Sequence, residues 1–120
     1  MVQTCLYSNE EKIAVVHIII LIPLIKAMLA AGTLVVLAYA VLHWDHIVNY
    51  FQSKAELKMS DKNNIAFSLQ EKLFNGKYRT VYGIFNQNEN RVCDGQVVES
   101  QEIDSRIAEN HLGNPLVVYE

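Results

Sequence analysis

Charge is what this chain lacks over much of its first half. Residues 13–44 hold one charged side chain, Lys26, in a sequence of 120 residues. Charged residues make up 19% of the whole, against roughly 25% in ordinary globular domains. The deficit lies in this run, because nine of the ten Lys and Arg fall outside it. Cysteine is scarce too. Cys5 and Cys93 stand on opposite sides of the run, with no CxxC and no Cys/His cluster, so neither a disulfide framework nor a zinc site is supported.

Other absences exclude further classes. From residue 55 to 120 there are seven basic and ten acidic side chains. A domain with that balance has no basic stripe to follow a phosphate backbone, so nucleic acid is not an expected partner. The glycines Gly76, Gly83, Gly95 and Gly113 are scattered and form neither of the glycine-rich phosphate cradles. No GxSxG nucleophile elbow and no HExxH metal helix occurs. No Asn-x-Ser/Thr acceptor is present, in keeping with a domain not exposed to glycosylation. The expectation is a protein that is not an enzyme, with no cofactor and no bound metal.

What is present is the apolar run itself. A helix needs roughly 20 apolar residues to cross the ~30 Å core of a bilayer. Pro23 and Lys26 divide the run. Residues 13–25 make about 20 Å of helix, too short to span alone, whereas residues 27–44 make about 27 Å and suffice. Two passes would need roughly 40 apolar residues and a turn. The reading is therefore one transmembrane helix, kinked at Pro23 or preceded by a short interfacial helix. The first part is rich in β-branched residues, which in water would suggest a buried strand; in lipid an open strand leaves backbone groups unpaired. Small residues lie between the two parts, as at a signal-peptide cleavage site, but the apolar pattern continues past them to Val41, which favours an uncleaved anchor.

The chain is then organised as a polar leader (1–12), an apolar membrane segment (13–44, main span 27–44), a juxtamembrane connector (45–59) and a small soluble α+β domain (60–120). Asp61 caps a helix whose apolar face is Ile65, Leu69 and Leu73, closed by Asn75-Gly76. Residues 78–85, rich in β-branched and aromatic side chains, form a strand. After a turn at 86–90 a second strand covers 91–99, with Asp94-Gly95 marking a bulge or reversal. Ser100 caps a further helix, buried on Ile103 and Ile107, which Gly113 and Pro115 end. Leu116–Tyr119 is a last strand. The order is α-β-β-α-β with one sheet.

Candidate sites follow from this layout. Lys26, Trp44, Tyr50 and Phe51 sit where a membrane interface falls, with amphipathic rings at headgroup level. Ala27, Ala31 and Ala38 fall near one helical face, a candidate helix–helix contact. His43 and His46 share a helix face, and a metal or haem role with His17 or Asp45 is set aside because His17 stands about 39 Å of helix away. His111, near Glu102, Asp104 and Glu109, lacks a nucleophile in the pattern and reads as a partner of a helix dipole. The last strand and the 78–85 strand are candidate sheet edges, open to a partner strand, although Lys77, Arg79 and Glu120 blunt them.

Flanking lysines favour a cytoplasmic C-terminal domain: Lys12 precedes the run, while Lys54, Lys58 and Lys62 follow it. The function expected is that of a single-pass membrane-anchored accessory or scaffolding protein presenting a small protein-interaction domain. Its partners would be the bilayer and a membrane protein or a second copy. A ligand sensor whose span oligomerises is one alternative. The other is a soluble oligomer that buries the apolar run between subunits.

Overall fold

A computed structural model describes residues 21–112 and 114–119. The elements, in chain order, are α1 (Leu21–Ala31), β1 (Val36–Leu42), α2 (Trp44–Ser53), α3 (Ala55–Met59), β2 (Asn64–Lys72), β3 (Tyr78–Asn86), β4 (Arg91–Ile103), α4 (Ser105–His111) and β5 (Leu116–Tyr119). The strands make one mixed sheet in the order β1-β4-β3-β2-β5. All neighbours are antiparallel except β1 and β4, which run parallel. The class is α+β.

Residues 27–44 are not one helix. Gly32 takes a left-handed φ of 69°, which a residue without Cβ adopts at little cost. There the chain closes α1 in a Schellman motif: Thr33 N–H donates to the Met28 carbonyl (3.1 Å) and Gly32 N–H to the Leu29 carbonyl (3.2 Å). The β-branched residues beyond, Val36 and Val41, then enter a strand. Val36 pairs with Val97 and Leu42 with Ile103. Among the described residues no helix is long and apolar enough to cross a membrane. Residues 1–20, which carry the polar leader, Cys5, His17 and most of the 13–25 lead, lie outside those described.

The second difference is β2. Ile65 and Leu69 are four apart, as on a helix, yet Phe67 lies between them and Ala66, Ser68 and Gln70 alternate with them. That period of two is the strand signature. In the structure Ile65, Phe67 and Leu69 face one side of the sheet and Ala66 and Ser68 the other.

Each side of the sheet carries a core. On one, α1 lays Leu21 and Ile25 on Phe67, Leu69, Val81, Phe85 and Val97. Both α1 side chains are fully buried, each stabilising by roughly 1.5–3 kcal/mol. On the other, α2 presents Ile47, Tyr50 and Phe51, spaced as one helical stripe, to Ala66, Tyr82, Ile84, Val98, Val117 and Tyr119, with Ile107 of α4 beside them. The β3–β4 hairpin carries a bulge: Ile84 pairs with Asp94 but Phe85 with Val92, so Cys93 is the extra residue. A Cβ on the nearby Gly83 would collide with the Asp94 carbonyl oxygen and stand 2.8 Å from the Gly95 Cα.

β4 runs to Ile103, beyond the expected stop at Glu99, because its second half pairs with β1. The following helix is consequently capped by Asp104 rather than Ser100, and its side chain accepts from Arg106 N–H at 2.9 Å.

Candidate functional site

β1 is an end strand of the sheet, and its sequence is VLAYAVL. Val97 N–H donates to the Val35 carbonyl at 3.2 Å. Strand alternation then aims the amides of Leu37 and Tyr39 at β4 and those of Val36 and Ala38 away from it; the register with β4 skips Ala40, and beyond it the Leu42 carbonyl faces β4. Among the described residues nothing hydrogen-bonds to that outer row. Val35 and Val36 are 70% and 51% exposed, and Tyr39 38%. Natural edge strands are ordinarily short, charged, proline-bearing or covered. β1 has seven residues, no charge and no proline.

The strand is held firmly from behind. The Tyr39 ring stacks on His46 with centroids 5.0 Å apart and planes 14° from parallel. His46 Nδ1 in turn accepts from His43 N–H at 3.2 Å, so this histidine orders the β1–α2 junction. At the strand end, Asp104 N–H donates to the Leu42 carbonyl at 2.9 Å. The edge is thus presented by a rigid scaffold.

A second cluster is buried under α4. Ser68 Oγ lies 2.8 Å from both His111 Nε2 and Tyr119 Oη, and His111 Nδ1 lies 2.8 Å from the Asn114 carbonyl. The carbonyl can only accept, so Nδ1 carries the proton, and in the neutral ring Nε2 then accepts from Ser68. Tyr119 completes the chain by donating to Ser68. Burial lowers the His111 pKa below its ordinary value and raises that of Tyr119. The arrangement has the hydrogen-bond pattern of a serine–histidine pair. Ser68, however, is wholly buried, with no route for a substrate to its oxygen. The cavity of about 370 Å³ beside it is lined by His111, Gln70, Tyr78 and Pro115 among others, and not by Ser68. What the cluster can do is pin β5 and α4 to β2.

The residues singled out from the sequence are dispersed. Tyr50 and Phe51 are not surface rings but core, packed edge-on against Tyr82. Tyr50 donates its hydroxyl to Asp94, and burial together with that carboxylate drives its pKa far up. Trp44 is half-buried, 5.9 Å from the Tyr119 ring. Lys26 is exposed on α1, on the rim of a cavity of about 390 Å³ with Glu71 and Arg79. Ala27 and Ala31 are on α1 and Ala38 on β1, so the three do not share a helix. All three are exposed. His43 and His46 rings are 5.7 Å apart, and among the described residues no group of three His, Cys, Asp or Glu is placed to hold a metal ion. Of the two expected edges, β5 is one, whereas β3 is interior; β1 takes the other edge.

No protein-family model, no curated protein and no solved structure matches this chain.

Proposed function

We propose that this protein is a non-enzymatic binding module that works by lending the outer edge of β1 to another β-strand. The observation that carries the reading is the uncharged seven-residue strand Val36–Leu42 at the end of the sheet, whose outward amides have no partner among the described residues. Strand addition supplies affinity through main-chain hydrogen bonds, with alternate side chains adding specificity. It also accounts for the scarcity of charge after Lys26: a lysine or glutamate on the edge would repel a partner strand. This keeps the interaction-domain expectation and puts the contact on a sheet edge inside the 27–44 segment expected to span the membrane.

The test is the size of the complex in which the protein runs in native extracts, compared with Ala38→Pro. Proline removes an outward donor and is tolerated on an edge. The wild type is expected in a complex and the variant at the size of the free chain. Equal sizes overturn the reading.

A second reading, attachment to a bilayer with the folded domain on the cytoplasmic side, is favoured by the sequence ahead of α1, where residues 13–20 hold no charge. Carbonate extraction tests it. Release into the supernatant sinks it.

A further inference from the structure

The cavity of about 370 Å³ beside His111 falls within the roughly 300–1,000 Å³ of small-molecule sites. It lies on the β2–β5 side of the sheet, away from β1. We propose that it binds a small organic acid, one carboxylate on a compact apolar body, with Lys72 as the partner of the charge.

Strand alternation sorts the charged groups around the cavity. Glu71, Arg79 and Glu99 are direct neighbours across three strands. They pair at 3.1 and 3.4 Å, on the face of the sheet that α1 covers. Lys72 and Tyr78 are also register partners, and they point to the opposite face, toward α4. The charged residues lining the cavity are Glu71 and Lys72, and the Glu71 carboxylate is tied to Arg79. The Lys72 ammonium stands 5.5 Å from the centre of the Tyr78 ring. Among the described residues it pairs with no carboxylate. The cavity therefore presents a positive charge without its counter-ion, and a carboxylate there would accept a charge-assisted hydrogen bond.

The other lining groups suit the rest of such a molecule. Gln70 gives one of its two amide hydrogens to Thr80 Oγ1 at 3.3 Å, which leaves the second for the carboxylate. His111 uses both ring nitrogens within the protein, so it offers the cavity a neutral ring edge. The Tyr78 ring, the Ala108 methyl group and the Pro115 ring make apolar wall.

Two exposed side chains stand on the loops that flank the cavity. Phe74 is in the turn between Lys72 and Tyr78 and is wholly exposed, and Leu112 follows His111 and is 76% exposed. Leu112 also holds a left-handed φ of 45°, a costly conformation for a residue with a branched side chain. Neither residue contributes to the core, whereas an apolar body in the cavity would have both beside it.

The test uses the full isotope-labelled chain with two acids, phenylacetate and hexanoate, and two comparators, 2-phenylethanol and phenethylammonium. Phenylacetate is expected to shift the amide signals of Lys72, Tyr78, Ala108 and His111 together and saturably, and to bind about tenfold more tightly than either comparator. Lys72→Met should erase that preference, so that phenylacetate and the alcohol bind alike; Lys72→Gln replaces it if it fails to fold. Ala108→Phe, on an exposed position of α4, fills the cavity and should abolish the shifts. Leu112→Gly should weaken phenylacetate several-fold while raising the thermal midpoint, and a purely structural leucine would move only the midpoint. Absence of saturable shifts with both acids overturns the proposal. So does equal binding of phenylacetate and its comparators, a preference that survives loss of the Lys72 charge, or binding that survives Ala108→Phe.

Discussion

Trp44 N–H donates to the Asp104 carboxylate at 3.1 Å across 60 positions of sequence. The same carboxylate accepts from Arg106 N–H at 2.9 Å. One side chain therefore caps the N-termini of two helices, α2 and α4, at the point where β4 ends beside β1. These backbone hydrogen bonds, with the Arg106 guanidinium, hold the Asp104 pKa down at about 2.

Asp104→Asn is expected to lower the thermal midpoint, and the deficit should depend on pH. A carboxyl whose folded pKa lies below its unfolded value contributes stability above the unfolded pKa and loses it as pH falls toward the folded one. Here the window runs from about 4 down to about 2. Urea titrations across it should show the wild type losing stability more steeply than Asp104→Asn.

His111 behaves in the opposite chemical sense. Its folded pKa is lowered by burial, so in acid the unfolded chain takes up a proton that the folded chain resists. Stability should be fully present above about pH 6.5 and decline as pH falls below that value. In the His111→Gln variant this part of the slope should vanish. A wild-type stability that stays flat between pH 7 and 5 would contradict the assignment of a neutral ring.

Ser68→Ala leaves both the Tyr119 hydroxyl and the His111 Nε2 without their buried partner. The expected loss is about 2 kcal/mol or more, measured by urea unfolding. Because Ser68 joins β2 to β5 and α4, hydrogen exchange in Leu116–Tyr119 should accelerate more than in the β3–β4 hairpin.

Gly83→Ala forces a methyl group against backbone that cannot step aside. A cost of roughly 3 kcal/mol is expected, visible as a large drop in the denaturation midpoint. A loss under 0.5 kcal/mol, the ordinary range of surface substitutions, would show that the hairpin bends to admit it.

Leu112 has a left-handed φ of 45° and an exposed side chain. Glycine reaches that conformation without the steric penalty of a Cβ. Leu112→Gly is expected to raise stability by about 0.5–1 kcal/mol, since little packing is lost, and a thermal melt decides.

The β3–β4 hairpin was legible in the sequence, because its β-branched and aromatic residues and the turn between them are local signals. So was the helix that ends before Pro115. β2 is hard to read from sequence because Ile65 and Leu69 satisfy a helical spacing, and Phe67 between them counts against it only once a period of two is considered. β1 was hidden for a different reason. A strand paired with a parallel partner 61 positions away in sequence carries no short-range mark, and an uncharged run reads equally well as lipid-facing helix.

The parallel pairing of β1 with β4 also sets a timetable. Val36 meets Val97, so at roughly 5–20 residues per second of synthesis the strand emerges about 3–12 seconds before its partner exists. Throughout that interval an uncharged β-forming segment is exposed on the nascent chain with neither edge satisfied. Newly made copies on one messenger should therefore be prone to meet through this segment before either has folded, and the yield of native protein should depend on chaperones that bind extended apolar chain.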